Sequence, residues 1–205
     1  HNRIPGSANS GDVAPPFDPK ACGDPRNQEK HSCWGKDGRT QLPKSYCGEM
    51  RNDAPSIEPV LEFFKICEDK NGASSFDKIW LVEKHSNGWW RLPINSPRKL
   101  SGTKVQTAWK ETRFNCLYSI LWYEELFESK TAGHMKQNQD GVYCYEGSES
   151  KKAENCMIFQ DVFSSGTWWG VKLELEVDRA VGKTVGDYWV QPAESISLQA
   201  AWLCG

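Results

Sequence analysis

Apolar and charged side chains alternate one by one between residues 171 and 177. The apolar positions are Val171, Leu173, Leu175 and Val177, and the charged positions between them are Lys172, Glu174 and Glu176. A period of two places the apolar side chains on one face of an extended strand and the charged ones on the other. This segment is the clearest half-buried strand in the sequence.

Six other short runs have the composition of strands, because they are rich in aromatic and β-branched residues and are bounded by turn residues. They cover 78–83, 89–94, 113–123, 141–145, 156–163 and 195–203, and the alternating segment extends over 168–177. The run 59–67 is compatible with a short helix or a strand. About seven such strands predict an all-β fold: an immunoglobulin- or fibronectin-like antiparallel β-sandwich with long disulfide-stapled loops.

Eight cysteines are spread along the whole chain, at positions 22, 33, 47, 67, 116, 144, 156 and 204. No C-x-x-C pair occurs among them, which argues against a zinc ribbon and favours about four disulfides. Residues 1–58 are rich in Pro, Gly, Asn, Asp and Lys, and we expect an irregular arm packed on one domain of residues 1–205. The cysteines, and a first residue His1 instead of Met, predict a secreted, extracellular protein whose signal peptide has been removed.

The charges of the chain are nearly balanced, with 25 Lys and Arg against 27 Asp and Glu. A formal net charge of −2 is too small to attract the whole molecule to nucleic acid or to an anionic membrane. No apolar run reaches the roughly 20 residues that a membrane helix needs. We therefore expect neither nucleic acid nor a membrane as a partner, and we expect a monomer.

The first residue, His1, could act as a metal ligand in an unusual way, because its α-amine and its imidazole Nδ1 can chelate one metal ion together. One more imidazole completes a T-shaped site of three nitrogens, which suits Cu(II). The other histidines are His31, His85 and His134. The common alternative for a first residue is a frayed, solvated terminus.

Three segments add to His1. His85 precedes a glycine and an aromatic run, residues 116–123 form an aromatic stretch with a cysteine, and residues 154–162 follow later in the chain. In this order they resemble the lytic polysaccharide monooxygenases. The resemblance covers His1 and roughly residues 78–163. It implies a disulfide-bearing β-sandwich with one copper ion per chain, held by His1 and His85.

The resemblance also implies a residue at the axial position of the copper. Most families place Tyr or Phe before a cysteine, whereas Cys156 here precedes Phe159. Strand alternation puts Phe159 on one face with Met157 and Asp161. Phe159 is therefore the axial candidate and joins His1 and His85 as a catalytic residue. The alternatives are Tyr143, Tyr145 and Tyr188.

His134 competes with His85 for the place of second ligand, because Ala-Gly before a histidine is also similar to these enzymes. We prefer His85, since the two strands that should follow the ligand come after it in the right order. His31, beside Lys30 in the irregular arm, is expected at the surface.

The resemblance implies oxidative cleavage at C1 or C4 of a sugar ring, with an external electron donor and O2 or H2O2 as co-substrates. The segment 78–113 has six more basic than acidic residues, which favours an anionic polysaccharide such as the galacturonate of pectin. The chain in this respect resembles the oomycete secreted group that is directed at plant pectin. We expect substrate to contact Lys84, Trp89, Trp90 and Arg91.

Two other classes remain open. A β-sandwich that binds copper or carbohydrate without oxidative activity is one, and a carboxylate such as Asp161 near the copper would favour it. A cysteine-rich secreted effector or inhibitor is the other, with a protein-binding patch formed by Trp89, Trp90, Trp168 and Trp169.

Overall fold

The computed structural model describes residues 54–71, 82–123, 126, 140–160, 163 and 167–205. The helices are α1 (Glu58–Asn71), α2 (Phe114–Tyr123) and α3 (Ser150–Cys156), with 3-10 turns at Gly147–Glu149 and Ala193–Ser195. The strands are β1 (Glu83–Lys84), β2 (Trp89–Pro93), β3 (Val105–Thr112), β4 (Val142–Glu146), β5 (Gly170–Asp178), β6 (Lys183–Val185), β7 (Tyr188–Gln191) and β8 (Ile196–Cys204). His1, His31, His134 and Asp161 lie outside the described residues.

The strands pair in the order β1-β2-β8-β5-β3-β4-β7-β6, and every pairing is antiparallel. The all-β class predicted from the sequence is confirmed, and the antiparallel strands with few helices are consistent with a β-sandwich. The two strands at the ends of this order, β1 and β6, have two and three residues. Short charged edge strands of this kind protect a sheet from pairing with another copy.

The strands β8 and β5 are third and fourth in this order of eight and are covered on both faces. The alternation predicted in β5 is confirmed, because its four apolar residues from Val171 to Val177 have no exposed surface. They pack in one core with α1 and α2. On the other face of β5, Lys172 is also buried, under a second cluster that contains Trp89 and Phe159.

The prediction of a strand over 113–123 is wrong, because Phe114–Tyr123 is a helix. Its buried residues Phe114, Leu117, Ile120 and Leu121 recur at helical spacing. The run is apolar almost throughout, and such a run does not distinguish a buried strand from a buried helix by its period. The aromatic strand that the resemblance places at 116–123 is therefore absent at that position.

The prediction of a strand over 156–163 is also wrong in its first part, because α3 ends at Cys156. Met157 has an extended backbone, and Gln160 pairs with Trp169 in an isolated bridge. Met157 and Phe159 do share one cluster, as the alternation predicted. A bridge of one residue pair aligns this segment with the end of β5 without making it a full strand.

Of the other predicted segments, some correspond to observed strands and one is a helix. The segments 89–94, 141–145, 168–177 and 195–203 correspond to β2, β4, β5 and β8, and the ambiguous run 59–67 is helical, within α1. Only the end of 78–83 is described, as part of β1, and β3, β6 and β7 were not anticipated. None of the described helices is both long and apolar enough to cross a membrane.

The expected disulfide staples are not seen among the described residues. No disulfide joins any two of the four cysteines whose side chains lie within the described ranges, at positions 116, 144, 156 and 204. Cys144 is completely buried, and its thiol donates to the carbonyl oxygen of Trp189 at 3.4 Å. Burial raises the pKa of the Cys144 thiol to about 11, so it is protonated at neutral pH.

Candidate functional site

His85 lies in the turn that joins β1 to β2. Its backbone N–H donates to the carbonyl oxygen of Trp89 at 2.8 Å, which closes the hairpin. Gly88 has a positive φ of 82°, a conformation that side chains other than glycine rarely adopt. The hairpin brings Glu83 directly opposite Arg91. Three residues of interest therefore share one short hairpin at the edge of the sheet.

The imidazole of His85 contacts the indole of Trp202 on β8, with 4.7 Å between ring centroids. The side chain of His85 is 39% exposed, yet its Nε2 atom is buried and has no hydrogen-bond partner among the described residues. The Oε2 atom of Glu83 lies 3.6 Å from this nitrogen, which is beyond hydrogen-bond range. His85 therefore has a buried ring nitrogen whose hydrogen-bonding capacity is not used by the described residues.

Arg91 links the two acidic residues of this face. Its Nη1 donates to Oε2 of Glu83 at 3.1 Å, and its Nε donates to Oε2 of Glu174 at 3.0 Å. The indole N–H of Trp202 donates to the same oxygen of Glu174 at 2.8 Å. Burial lowers the pKa of Arg91, but the two carboxylates outweigh that effect and the pKa is raised. Arg91 is thus charged and forms ion pairs with both carboxylates.

A buried ammonium group lies behind this network. The Nζ of Lys172 is 4.3 Å, 4.8 Å and 5.5 Å from the ring centroids of Trp89, Trp109 and Trp202. It donates to Oε1 of Glu154 on α3 at 2.6 Å. Burial alone raises the pKa of Glu154, but the bonds from Lys172 and from exposed Lys151 outweigh it and hold that pKa below its usual value. This arrangement fixes α3 against the sheet.

Phe159, the axial candidate, belongs to the core on this side of the sheet. Its ring is 4% exposed and lies so close to Gly170 that a Cβ there would meet ring carbons at 2.8 Å. It shares a cluster with Trp89, Met157 and Cys204. Its relation to copper stays a prediction.

The residues predicted to contact substrate differ in their accessibility. Trp89 is only 1% exposed, so its role in the structure is packing against Lys172. Lys84 is exposed and lies over the ring of the half-buried Trp90, with 5.5 Å from its Nζ to the ring centroid. The indole N–H of Trp90 donates to the carbonyl oxygen of Pro55. Lys84 and Trp90 therefore form the accessible part of the predicted surface.

Several positive charges of the segment 78–113 have partners inside the protein. Arg98 donates to the carbonyl oxygens of Ala193, Glu194 and Ile196. Lys110 donates to the carbonyl oxygen of Tyr143 at 3.1 Å. The two carboxylates beside Arg91 offset its charge, whereas Arg98 and Lys110 keep their charge while backbone carbonyl oxygens occupy some of their donors.

The three tyrosines considered as axial alternatives form a cluster of their own on β4 and β7. The hydroxyl of Tyr145 donates to that of Tyr188 at 3.3 Å, and it lies 3.2 Å from the thiol sulfur of Cys156. The ring of Tyr143 packs edge-on against Tyr188. Burial and these hydrogen bonds raise the pKa of Tyr145, so its hydroxyl is neutral.

Sequence reasoning missed most of the residues that surround His85. The alternation assigned Lys172 and Glu174 to a solvent face, and Trp202 and Trp109 were not singled out. All four are neighbours in the register of β8, β5 and β3, where Trp202 pairs with Lys172 and Trp109 with Glu174. The charged residues within β5 were the one sequence feature that could have pointed to this cluster. Their aromatic neighbours are known only from the order and register of the strands.

The described residues contain no cluster of three or more His, Cys, Asp or Glu side chains able to hold a metal ion. A metal ion at His85 therefore needs a ligand from outside the described ranges. The sequence matches no protein-family model and no curated protein. Any functional conclusion consequently rests on the residues themselves.

Proposed function

We propose that the chain is a secreted, copper-dependent lytic polysaccharide monooxygenase in which His1 and His85 hold one copper ion. The observation that carries this proposal is the buried Nε2 atom of His85, which has no hydrogen-bond partner in the described part of the chain. An unused imidazole nitrogen is the ligand type that copper prefers. The even set of eight cysteines supports secretion.

The surroundings of His85 fit a copper ligand. The contact with Trp202 restricts the orientation of the imidazole, so that the ring is preorganised for a metal ion. The side chain as a whole is 39% exposed, but its Nε2 atom is buried, so a metal ion would reach this nitrogen only after the ring moves. An α-amine and an imidazole from His1 would complete the three-nitrogen set.

Copper bound there supplies one-electron redox chemistry, with an external electron donor and with O2 or H2O2 as co-substrate. The contribution of the protein is to hold the ligands and to place a polysaccharide beside them. Lys84 and Trp90 are proposed to contact that polysaccharide, since one is charged and the other offers part of an aromatic surface. They lie on the face of β1 and β2 opposite to Arg91 and Trp202. Phe159, which the resemblance implies as a catalytic residue, would contribute an apolar ring on this side of the sheet.

The proposed substrate is a plant cell-wall polysaccharide, with homogalacturonan as the first choice and cellulose or xylan as the second. The positive charges that support an anionic chain are those at the surface, at Lys84, Lys99 and Lys104. Arg91 and Arg98 contribute less, because acidic side chains and backbone carbonyls occupy their guanidinium groups.

The test is to incubate the copper-loaded protein with homogalacturonan, ascorbate and O2 or H2O2, and to analyse the soluble products by mass spectrometry. We expect oligosaccharides that carry the mass of one inserted oxygen, and we expect none from the His85→Ala variant. Hydrolytic products from the copper-free protein would contradict the proposal. Copper binding without oxidised products from homogalacturonan, cellulose or xylan would instead favour a non-catalytic copper-binding protein.

A further inference from the structure

We propose that α3 and the two residues after it, 150–158, form a latch on the sheet. The contact of Glu154 with Lys172 holds this latch closed, and acid opens it while the strands stay paired. The latch needs no metal ion, and it is therefore independent of the proposed copper site.

The helix of the latch is weak by itself. It has seven residues, fewer than the about 12 that an isolated helix needs in water. The residue before it, Glu149, forms no side-chain capping bond, and Ala153 is its single buried residue. The helix therefore depends on side-chain contacts with the sheet.

The main contact between the helix and the sheet is an ion pair with little exposed surface. The Nζ of Lys172 donates to Oε1 of Glu154 at 2.6 Å and to Oγ of Ser150 at 2.9 Å. The side chains of Lys172 and Glu154 are 7% and 15% exposed. Both oxygens that accept from Lys172 belong to α3, so this one ammonium group joins the helix to β5.

The chain is fixed separately on the two sides of the latch. Before it, the indole N–H of Trp109 donates to the carbonyl oxygen of Gly147 at 2.9 Å. Gly147 lies so close to β3 that a Cβ there would meet the carbonyl oxygen of Thr107 at 2.8 Å. After it, Gln160 and Trp169 exchange two backbone hydrogen bonds of 3.0 Å and 2.9 Å. None of these contacts involves a group that titrates, so both ends stay in place in acid.

The other charges of the latch lie at its surface. Lys151 donates to Oε2 of Glu154 at 3.0 Å, but its side chain is 69% exposed. Lys152 lies 3.6 Å from Glu149 and 3.8 Å from Asp187, and all three of these side chains are more than 40% exposed. Exposed pairs of this kind contribute little to stability. They cannot hold the helix once the contact with Lys172 is lost.

The sheet faces the latch with few other polar groups. Glu111 on β3 lies opposite Lys172 in the register, and it forms no ion pair with the residues of α3. The hydroxyl of Tyr145 on β4 lies 3.2 Å from the sulfur of Cys156. Burial and hydrogen bonds raise the pKa of Tyr145, so its hydroxyl stays neutral on acidification. Glu154 is thus the group whose protonation breaks an ion pair between the helix and the sheet.

The sign of the pH dependence follows from the environment of Glu154. Burial alone raises the pKa of its carboxyl, but the bonds from Lys172 and Lys151 outweigh burial and lower that pKa. A lowered pKa means that the contact stabilises the closed latch at neutral pH, and that this stabilisation disappears as the pH falls through the folded value, below about 4.5.

An open latch changes the chemistry of one face of the sheet. It exposes the ammonium of Lys172, which the indole rings of Trp89, Trp109 and Trp202 surround. Arg91 lies on the same face, opposite Trp202. In acid this face therefore gains an unpaired positive charge beside aromatic rings.

The test is backbone hydrogen exchange of the full chain, measured by mass spectrometry at about pH 6 and about pH 3. Each rate is divided by the rate of the unfolded chain at the same pH, which removes the intrinsic effect of pH. The segment 150–158 is compared with β5, in the natural protein and in Glu154→Gln and Glu149→Gln. Glu149 is the matched control, because it is a glutamate beside the same helix whose ion pair is exposed.

We expect the protection of 150–158 in the natural protein to fall by about tenfold or more between the two pH values, while that of β5 is kept. Glu154→Gln should show the low protection of 150–158 already at about pH 6, and Glu149→Gln should behave as the natural protein. Protection of 150–158 that is unchanged in acid, or lost together with that of β5, would overturn the proposal. A folded Glu154→Gln protein with the natural pH dependence would overturn it as well.

Discussion

The imidazole of His85 lies against the indole of Trp202, although 116 intervening residues separate them in the chain. The contact exists because β2 and β8 pair with Arg91 opposite Trp202, which places the turn before β2 beside the end of β8. Trp202 also donates to Glu174 and packs edge-on against Trp89 and Trp109. The candidate site consequently depends on the pairing of β2 with β8 as much as on the β1–β2 hairpin.

The buried ion pair between Lys172 and Glu154 predicts that substitution of Glu154 lowers the free energy of unfolding much more than substitution of the nearby Glu149. Glu154→Ala leaves the ammonium of Lys172, which is 7% exposed, without a counter-charge, and we expect the free energy of unfolding to fall by about 3 kcal/mol. Glu149→Ala breaks only an exposed pair with Lys152 and should cost less than about 1 kcal/mol. Denaturant unfolding measures both values, and equal losses would contradict this account.

The lowered pKa of Glu154 predicts a pH dependence. A carboxyl whose pKa is lower in the folded than in the unfolded protein stabilises the fold above the unfolded pKa, and this contribution disappears as the pH falls through the folded value. The stability advantage of the natural protein over Glu154→Gln should therefore be constant at neutral pH and shrink below about pH 4.5. Unfolding curves at several pH values test this, and an advantage that grows on acidification would refute it.

The close approach of Phe159 to Gly170 predicts coupled substitutions. Gly170→Ala places a methyl group 2.8 Å from ring carbons of Phe159, and we expect a loss of about 1–3 kcal/mol of unfolding free energy. Phe159→Leu removes the ring and should relieve this clash, so the double variant should lose less than the sum of the single losses. Strict additivity in denaturant unfolding would show that the two residues do not meet.

The contacts of Arg98 and Lys84 predict separate roles for two basic residues. Arg98→Ala removes the donor to three backbone carbonyls and should lower the unfolding free energy by about 1 kcal/mol, with little effect on binding to polygalacturonate. Lys84→Ala should weaken that binding without a change in stability, and the affinity of the natural protein should fall as salt rises from 0.1 M to 1 M. Lys99→Ala, beside Arg98, is the stability control. Equal effects of Lys84→Ala on polygalacturonate and on a neutral glucan would argue against an anionic substrate.

The strand with one apolar and one charged face was predicted correctly from the sequence. The predicted element type was wrong for a run that is mostly apolar. The alternation of apolar and charged residues in β5 predicted both that the segment is a strand and which of its residues are buried in the main core. The run 114–123 is mostly apolar, and its two small polar residues, Asn115 and Ser119, are too few to establish a helical period, although the segment is a helix. Period alone contains no information about such a segment.

The candidate site was predictable only in its local part. His85 and its aromatic neighbours were recognisable because a histidine, a glycine and two tryptophans follow one another within six residues. Trp202, Glu174 and Lys172 come from distant strands, and their proximity to His85 depends on the antiparallel register. The interior position of Lys172 was hidden as well, because a lysine at an alternating position ordinarily faces water.

The central claim is that His1 and His85 bind one copper ion together. The most direct measurement is electron paramagnetic resonance of the full chain with one equivalent of Cu(II), compared with His85→Ala and with a chain that has one extra residue before His1. We predict a single spectrum of tetragonal three-nitrogen Cu(II) for the natural chain and the loss of that spectrum in both altered chains. A natural spectrum that persists unchanged in both would contradict the account.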